Sequence, residues 1–159
     1  MSRPEQADEP ITAAGLEALK SELERLQTVG RREMAKRILA ARELGDLKEN
    51  AEYHIAKEDQ AHLETRIKRL RERLRKAVVV DPDTSASTLG FGRTADVLDE
   101  VGGKVHTWTI VGAAEADASQ GKLSAESPVA KALLGRAAGD SVEVQTPRGP
   151  RRYRVERVR

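Results

Sequence analysis

The chain contains no cysteine. Disulfide frameworks, thiolate metal sites and cysteine nucleophiles are therefore excluded, and the composition suits a reducing compartment. Aromatic residues are scarce, 3% of the chain with one Trp and one Phe. A single large core would hold more ring volume than this, so a thin helical element beside a small aliphatic core is the expected plan. No apolar run approaches the ~18 residues of a membrane span. Residues 1–10 are polar and carry three acids, unlike a signal peptide. A cytoplasmic chain with no membrane partner is expected. Formal net charge is only +2, so global charge selects no class of partner.

Helix breakers are missing from the first half. Between Ile11 and Asp81 there is no proline, and of the twelve glycines only Gly15, Gly30 and Gly45 fall there. In that stretch the apolar period is helical. Leu16, Leu19, Leu23 and Leu26 form a heptad-like seam, continued more weakly by Met34, Ile38 and Ala41. Thr12 is a suitable N-cap. A second seam runs Leu63, Ile67, Leu70, Leu74. Each stripe is narrow, and the other faces are dense in Lys, Arg and Glu, so neither helix buries its stripe alone. Paired as an antiparallel hairpin, they bury each other. The link falls at Gly45-Asp46-Leu47-Lys48-Glu49-Asn50, with Gly45 as a stop signal and Asp46 or Asn50 available to cap the second helix. A helix over 12–44 would be roughly 50 Å long at ~1.5 Å per residue, which puts the link at the far end of a rod.

Beyond residue 81 come the other nine glycines, with Pro82, Pro128, Pro147 and Pro150. Strands are expected at 77–80, 93–98, 104–111, 141–146 and 152–158, and a short helix at 128–134 opened by Pro128. The fold class is thus α+β: an antiparallel coiled-coil hairpin followed by a small β-rich domain. The expected segments are an N-terminal extension at 1–10, a hairpin at 11–77 with an acidic tip at 45–53, and a second domain at 78–159.

Chemistry concentrates at the link. Asp46 and Glu49 are three apart, so in a helical or near-helical turn both carboxylates face one way. Such a pair suits Mg²⁺, which takes oxygen ligands in an octahedron, but two ligands are an incomplete set. The structural alternative is that Asp46 caps the second helix and Glu49 complements its dipole. Asn50 and Tyr53 are candidates to shape the tip, and Tyr53 could also pack on Leu47. Lys57 lies two turns further on. Basic residues cluster at 61–76, seven against two acids, and at 148–159, six against one. Either cluster could be a solvated face or a polyanion contact. His54, His62 and His106 share no metal-ligand spacing and receive no chemical role.

The run Gly45-Asp46-Leu47-Lys48-Glu49-Asn50-Ala51-Glu52-Tyr53-His54 resembles the tip signature of the GreA branch of the GreA/GreB family of bacterial transcript cleavage factors. Further likeness lies in Ile11-Thr12…Gly15-Leu16…Leu19…Glu22-Leu23, Val111-Gly112…Glu115-Ala116-Asp117, Ser127-Pro128-Val129-Ala130…Leu133-Leu134-Gly135 and Thr146-Pro147, in order and over nearly the whole chain. The resemblance implies an FKBP-like second domain and a monomer that is not itself an enzyme. It implies a hairpin inserted through the secondary channel of bacterial RNA polymerase. There Asp46 and Glu49 would help hold a second Mg²⁺, shared with the polymerase, and support two-metal cleavage of backtracked RNA. Lys57, where the family often has Arg, would approach the RNA 3′ end. Ser127 and Pro128 would dock on the polymerase rim helices. Two other readings stand beside it: a family paralogue that binds the same channel and inhibits, and a prolyl isomerase, for which the chain supplies only Phe91, Trp108 and Tyr153 as pocket aromatics.

Overall fold

The computed structural model describes residues 8–159. The expected extension at 1–10 lies mostly outside the described residues, but Glu9 and Pro10 belong to a strand. The chain divides into two units, one formed by residues 16–76 and one by residues 8–15 with 77–159.

The first unit is the helical hairpin. Its first arm comprises α1 (Ala13–Arg25), a π-helical turn (Leu26–Gly30) and α2 (Arg31–Arg42). Its second arm is α3 (Ala51–Lys76). Both seams face inward: Leu19, Leu26, Ile38 and Ala41 on one arm are buried, as are Ala56, Ile67 and Leu70 on the other. The π turn was not expected, and the seam explains it. From Leu26 the inward positions continue through Gly30, Met34 and Ile38, three successive steps of four. A straight helix of ~3.6 residues per turn cannot keep such a row on one face. One wider turn, closed by the Arg31 N–H on the Leu26 carbonyl, takes up the surplus residue.

Ion pairs across the arms fix the register. The Arg31 guanidinium grips Glu64 with two parallel bonds of 2.9 and 3.0 Å, Arg37 meets Asp59 at 2.6 Å, and Arg66 binds Glu22. Exposed pairs of this kind add little stability each, but their order along the hairpin discriminates against a slipped pairing.

In the second unit, β1 (Glu9–Ile11) pairs in parallel with β2 (Ala77–Val79). The main sheet contains β3 (Thr94–Asp99), β4 (Val105–Val111), β5 (Lys122–Ser124), β6 (Ser141–Thr146) and β7 (Gly149–Val158), in the order β5-β4-β3-β7-β6. Only β4 and β5 run parallel. β1 and β5 were not expected; each is three residues long, too short for alternation to register. One sheet face, with Ala95, Val97, Ile110, Val142, Val144, Tyr153 and Val155, closes on Leu89 and on α4 (Pro128–Leu133) through Ala130 and Leu133. Trp108 lies between the His106 ring, stacked at 4.6 Å, and the edge of Tyr153 at 5.4 Å. Both Phe91 and Trp108 pack against this core. Arg93 is buried, its guanidinium donating to the carbonyls of Ala86, Thr88 and Arg159.

Within this unit Glu115 holds Thr12, the residue before α1. Its carboxylate accepts from the Thr12 N–H at 3.0 Å, from the Gly112 N–H at 3.0 Å and from the Thr12 hydroxyl. The same hydroxyl caps α1 by accepting from the Gly15 N–H at 3.1 Å, as expected of Thr12. A Cβ on Gly15 would push the Glu115 carboxylate out of these bonds, whereas a Cβ on Gly30 would make an ordinary 3.5 Å contact with Leu63.

Two predictions follow from this packing. Gly15→Ala should cost about 1–3 kcal/mol through overpacking, while Gly30→Ala should be neutral or gain up to ~1 kcal/mol from helix propensity; thermal melts of the two variants check the opposed signs. The second concerns acid. Backbone N–H groups of the following turn, Gly102's foremost, hold the Asp99 carboxyl below its ordinary range, and Arg159 does the same for Asp96. Both groups therefore stabilise the sheet domain at and above the usual carboxylate range, and that contribution is lost as pH falls through their lowered values. Asp99→Asn should flatten the acid limb of a melting-temperature profile, and an unchanged limb would refute the assignment.

Candidate functional site: the hairpin turn

The turn between α2 and α3 is built by residues 43–50. The α2 backbone ends at Arg42, two residues before the expected Leu44, and tightens through Leu44 N–H to Ala41 O at 3.2 Å. Gly45 then takes φ +124°, a conformation that favours glycine and reverses the chain. Residues 47–49 form a turn rather than a helix.

Asn50 closes the hairpin. Its side-chain oxygen accepts from the Tyr53 N–H at 3.1 Å, capping α3, while its side-chain nitrogen donates to the Ala41 carbonyl at 2.5 Å. One residue thereby satisfies an orphan donor of α3 and gives the Ala41 carbonyl, which also accepts from the Leu44 N–H, a second donor from across the turn. Asp46, the other expected cap, instead accepts from the Lys48 N–H at 3.0 Å, an Asx turn. Across the turn, the Arg42 guanidinium lies 5.7 Å from the centre of the Tyr53 ring, a cation–π contact joining the arms. Nothing in the sequence pattern singled out Arg42.

The two candidate acidic residues line one concavity. Asp46 and Glu49 are both exposed and line one open concavity of about 360 Å³ with Leu44, Asn50, Ala51 and Glu52. A neighbouring groove of about 430 Å³ shares Leu44 and Glu52 and adds Arg37, Ala40, Ala41 and Ile55. Leu44, Leu47 and Ile55 leave 64%, 43% and 52% of their surface exposed, which gives the end of the hairpin an apolar rim. Among the described residues no cluster of three or more His, Cys, Asp and Glu could hold a metal ion. The donor set is thus two hard oxygen ligands, which fits Mg²⁺ only in part.

The remaining candidates lie apart from this concavity or are engaged elsewhere. Lys57 is exposed and donates to Gln60 at 3.1 Å. Ser127 caps α4, accepting from the Ala130 N–H at 3.2 Å and donating to the Ser124 carbonyl at 2.8 Å, with Pro128 exposed in the first turn. In the basic strand β7 and the residue after it, Arg151 pairs with Asp99, Arg152 and Arg154 with Glu100, and Arg159 with Asp96. Much of that positive charge is neutralised within the domain.

The hairpin with a partial acidic site at its turn and the small sheet domain are the two parts of a transcription factor family. A family described as the N-terminal domain of transcription elongation factors matches residues 9–79, and one described as the GreA/GreB C-terminal domain matches residues 84–159. The chain belongs to the GreA/GreB family of transcription elongation factors. It is similar to proteins named transcription elongation factor GreA. That of Nautilia profundicola is 50% identical, covering 94% of this chain and 93% of the relative. That of Jannaschia sp. is 47% identical over 94% and 96%, and that of Alkalilimnicola ehrlichii 48% over 94% and 96%. The crystal structure of GreA factor homolog 1 of Thermus thermophilus is 31% identical, covering 96% and 99%, with a TM-score of 0.43.

The double role of Asn50 is testable by substitution. Asn50→Ala should destabilise the hairpin end by about 1–2 kcal/mol through the lost cap and the lost bond across the turn to the Ala41 carbonyl. Asn50→Asp should keep the cap but set a carboxylate against the Ala41 carbonyl. Hydrogen exchange at Tyr53 N–H separates them, fast in the first variant and slower in the second.

Proposed function

We propose that this chain stimulates cleavage of backtracked RNA by bacterial RNA polymerase. In this reading the hairpin enters the secondary channel and lends Asp46 and Glu49 to the polymerase's own active centre. The observation that carries the reading is the pair of exposed acidic residues lining one concavity at the hairpin turn, where among the described residues no cluster of three His, Cys, Asp or Glu could hold a metal alone. Such a half-site makes chemical sense when a partner supplies the rest. Family membership and the similar proteins named GreA support a role in elongation.

Each residue has a defined part. Asp46 uses one carboxylate oxygen to hold the Lys48 N–H and keeps the other for a metal. Glu49 is exposed and presents its carboxylate to the same concavity. Asp46 and Glu49 would hold a Mg²⁺ jointly with the polymerase, and that ion would supply activation of the attacking water in a two-metal cleavage. Lys57 offers a mobile positive charge to RNA phosphate, without the bidentate fork of an arginine. The apolar rim of Leu44, Leu47 and Ile55 gives the hairpin end a contact surface inside a protein channel. At the other unit, exposed Pro128 beside the Ser127 cap would meet the rim of that channel. The chain is in this reading a factor that completes another protein's active site.

The test is cleavage in halted, backtracked polymerase complexes. Wild type should shorten the RNA from its 3′ end. Asp46→Ala and Glu49→Ala should each reduce the stimulated rate on the order of 100-fold, equivalent to the several kcal/mol that a metal ligand supports, while polymerase binding persists. A wild-type chain that binds and slows cleavage would instead be an inhibitory member of the family.

A further inference from the structure

We infer that His54 is a positioning residue for Glu49, acting through the backbone of Lys48. This rests on the cleavage role proposed above and names a residue that the sequence pattern left without one. His54 lies in the first turn of α3, and its Nε2 sits 3.3 Å from the Lys48 carbonyl. A carbonyl only accepts, so the ring donates from its Nε2–H tautomer. The Lys48 N–H is already held by the Asp46 carboxylate at 3.0 Å. Both polar backbone groups of the residue before Glu49 are therefore tied, one by the partner carboxylate and one by His54.

The consequence follows from peptide geometry. The Lys48 carbonyl belongs to the rigid plane that leads into Glu49. Fixing that plane restricts the Lys48 ψ and Glu49 φ rotations, which set the direction of the Glu49 Cβ. Residues 47–49 form a turn outside either helix, so no helical hydrogen-bond ladder does this instead. The ring itself is braced. The Tyr53 and His54 rings meet edge to face at 5.6 Å, and the Arg42 guanidinium covers Tyr53 at 5.7 Å. A continuous set of contacts thus runs from the end of α2 through Tyr53 and His54 to the peptide between the two carboxylates. The position has little structural burden, because the side chain is exposed and the His54 N–H bonds to the Asn50 carbonyl at 3.2 Å whatever the side chain.

The geometry supplies its own control. A glutamine amide nitrogen reaches the place of Nε2, whereas an asparagine nitrogen reaches only that of Nδ1. In the backtracked-complex assay, His54→Ala and His54→Asn should lower the stimulated rate about 3–10-fold and raise the Mg²⁺ concentration for half-maximal cleavage, a smaller loss than the roughly 10–100-fold of removing a group bonded directly to a metal ligand, because His54 acts through the Lys48 backbone. His54→Gln should stay within about twofold of wild type, and all three should bind polymerase as wild type does. In parallel, ¹⁵N relaxation of the full chain should show the order parameter of the Glu49 amide falling in the Ala and Asn variants and preserved in the Gln variant. Wild-type cleavage, Mg²⁺ response and Glu49 order in His54→Ala would overturn the inference, as would equal rescue by Asn and Gln. If wild type itself fails to stimulate cleavage, the proposed function falls, and the Glu49 relaxation alone decides the positioning role.

Discussion

Two apolar stripes, each too narrow to bury itself, are the constraint on which the hairpin depends. Leu19, Leu26, Ile38 and Ala41 are buried on one arm, and Ala56, Ile67 and Leu70 on the returning helix. In proteins most helical stability comes from packing such an amphipathic face rather than from propensity. Once the arms must lie together, several features become necessary. The first arm absorbs a surplus residue as a π turn to keep its seam inward. The charged flanks meet in the order Glu22–Arg66, Arg31–Glu64, Arg37–Asp59. The chain must reverse between Arg42 and Ala51, which places Asp46 and Glu49 where backbone groups of both helix ends need partners.

That last consequence links stability to function. Helix ends demand hydrogen-bond partners, and at this turn polar side chains supply them. Asn50 bridges the two ends, Asp46 folds back on Lys48 and His54 reaches the Lys48 carbonyl. The interactions that finish the hairpin are therefore made by Asp46 and by residues close to Asp46 and Glu49, which line one concavity. A loop without them would still connect the arms, but the carboxylates would sample many directions, and preorganised ligands are what a shared metal site requires.

The sheet domain solves a different problem with different means. With few aromatics, its core is built from Val, Ile, Leu and Ala on one sheet face closed by α4. Buried Arg93 makes loop carbonyls converge on one guanidinium, and Glu115 seats the first turn of α1 on its N–H and hydroxyl. The arginines of β7 are spent largely on Asp99 and Glu100, so this basic stretch acts first as a lattice of ion pairs within the domain. The prolyl-isomerase reading finds no support in this arrangement, since Phe91 and Trp108 pack against the core and Tyr153 belongs to it.

Much of this was legible in the sequence because periodicity is a local property. Spacing of leucines marked both arms of the hairpin, the absence of proline marked its extent, alternation marked the longer strands, and the Gly45–Glu49 segment marked the turn and its carboxylates. What the sequence left undecided were contacts between residues brought near only by folding. Whether Asp46 or Asn50 caps α3 depended on which side chain could also reach the Ala41 carbonyl. The π turn depended on the phase of a seam read against its partner helix. Glu115 meets Thr12 across 103 residues, and no local pattern carries that pairing. His54 looked like an ordinary exposed helical residue until the turn brought the Lys48 carbonyl to its ring. Hydrophobic period determined the elements by itself; the satisfaction of backbone groups at their ends, which is a three-dimensional question, was decided only by the tertiary structure.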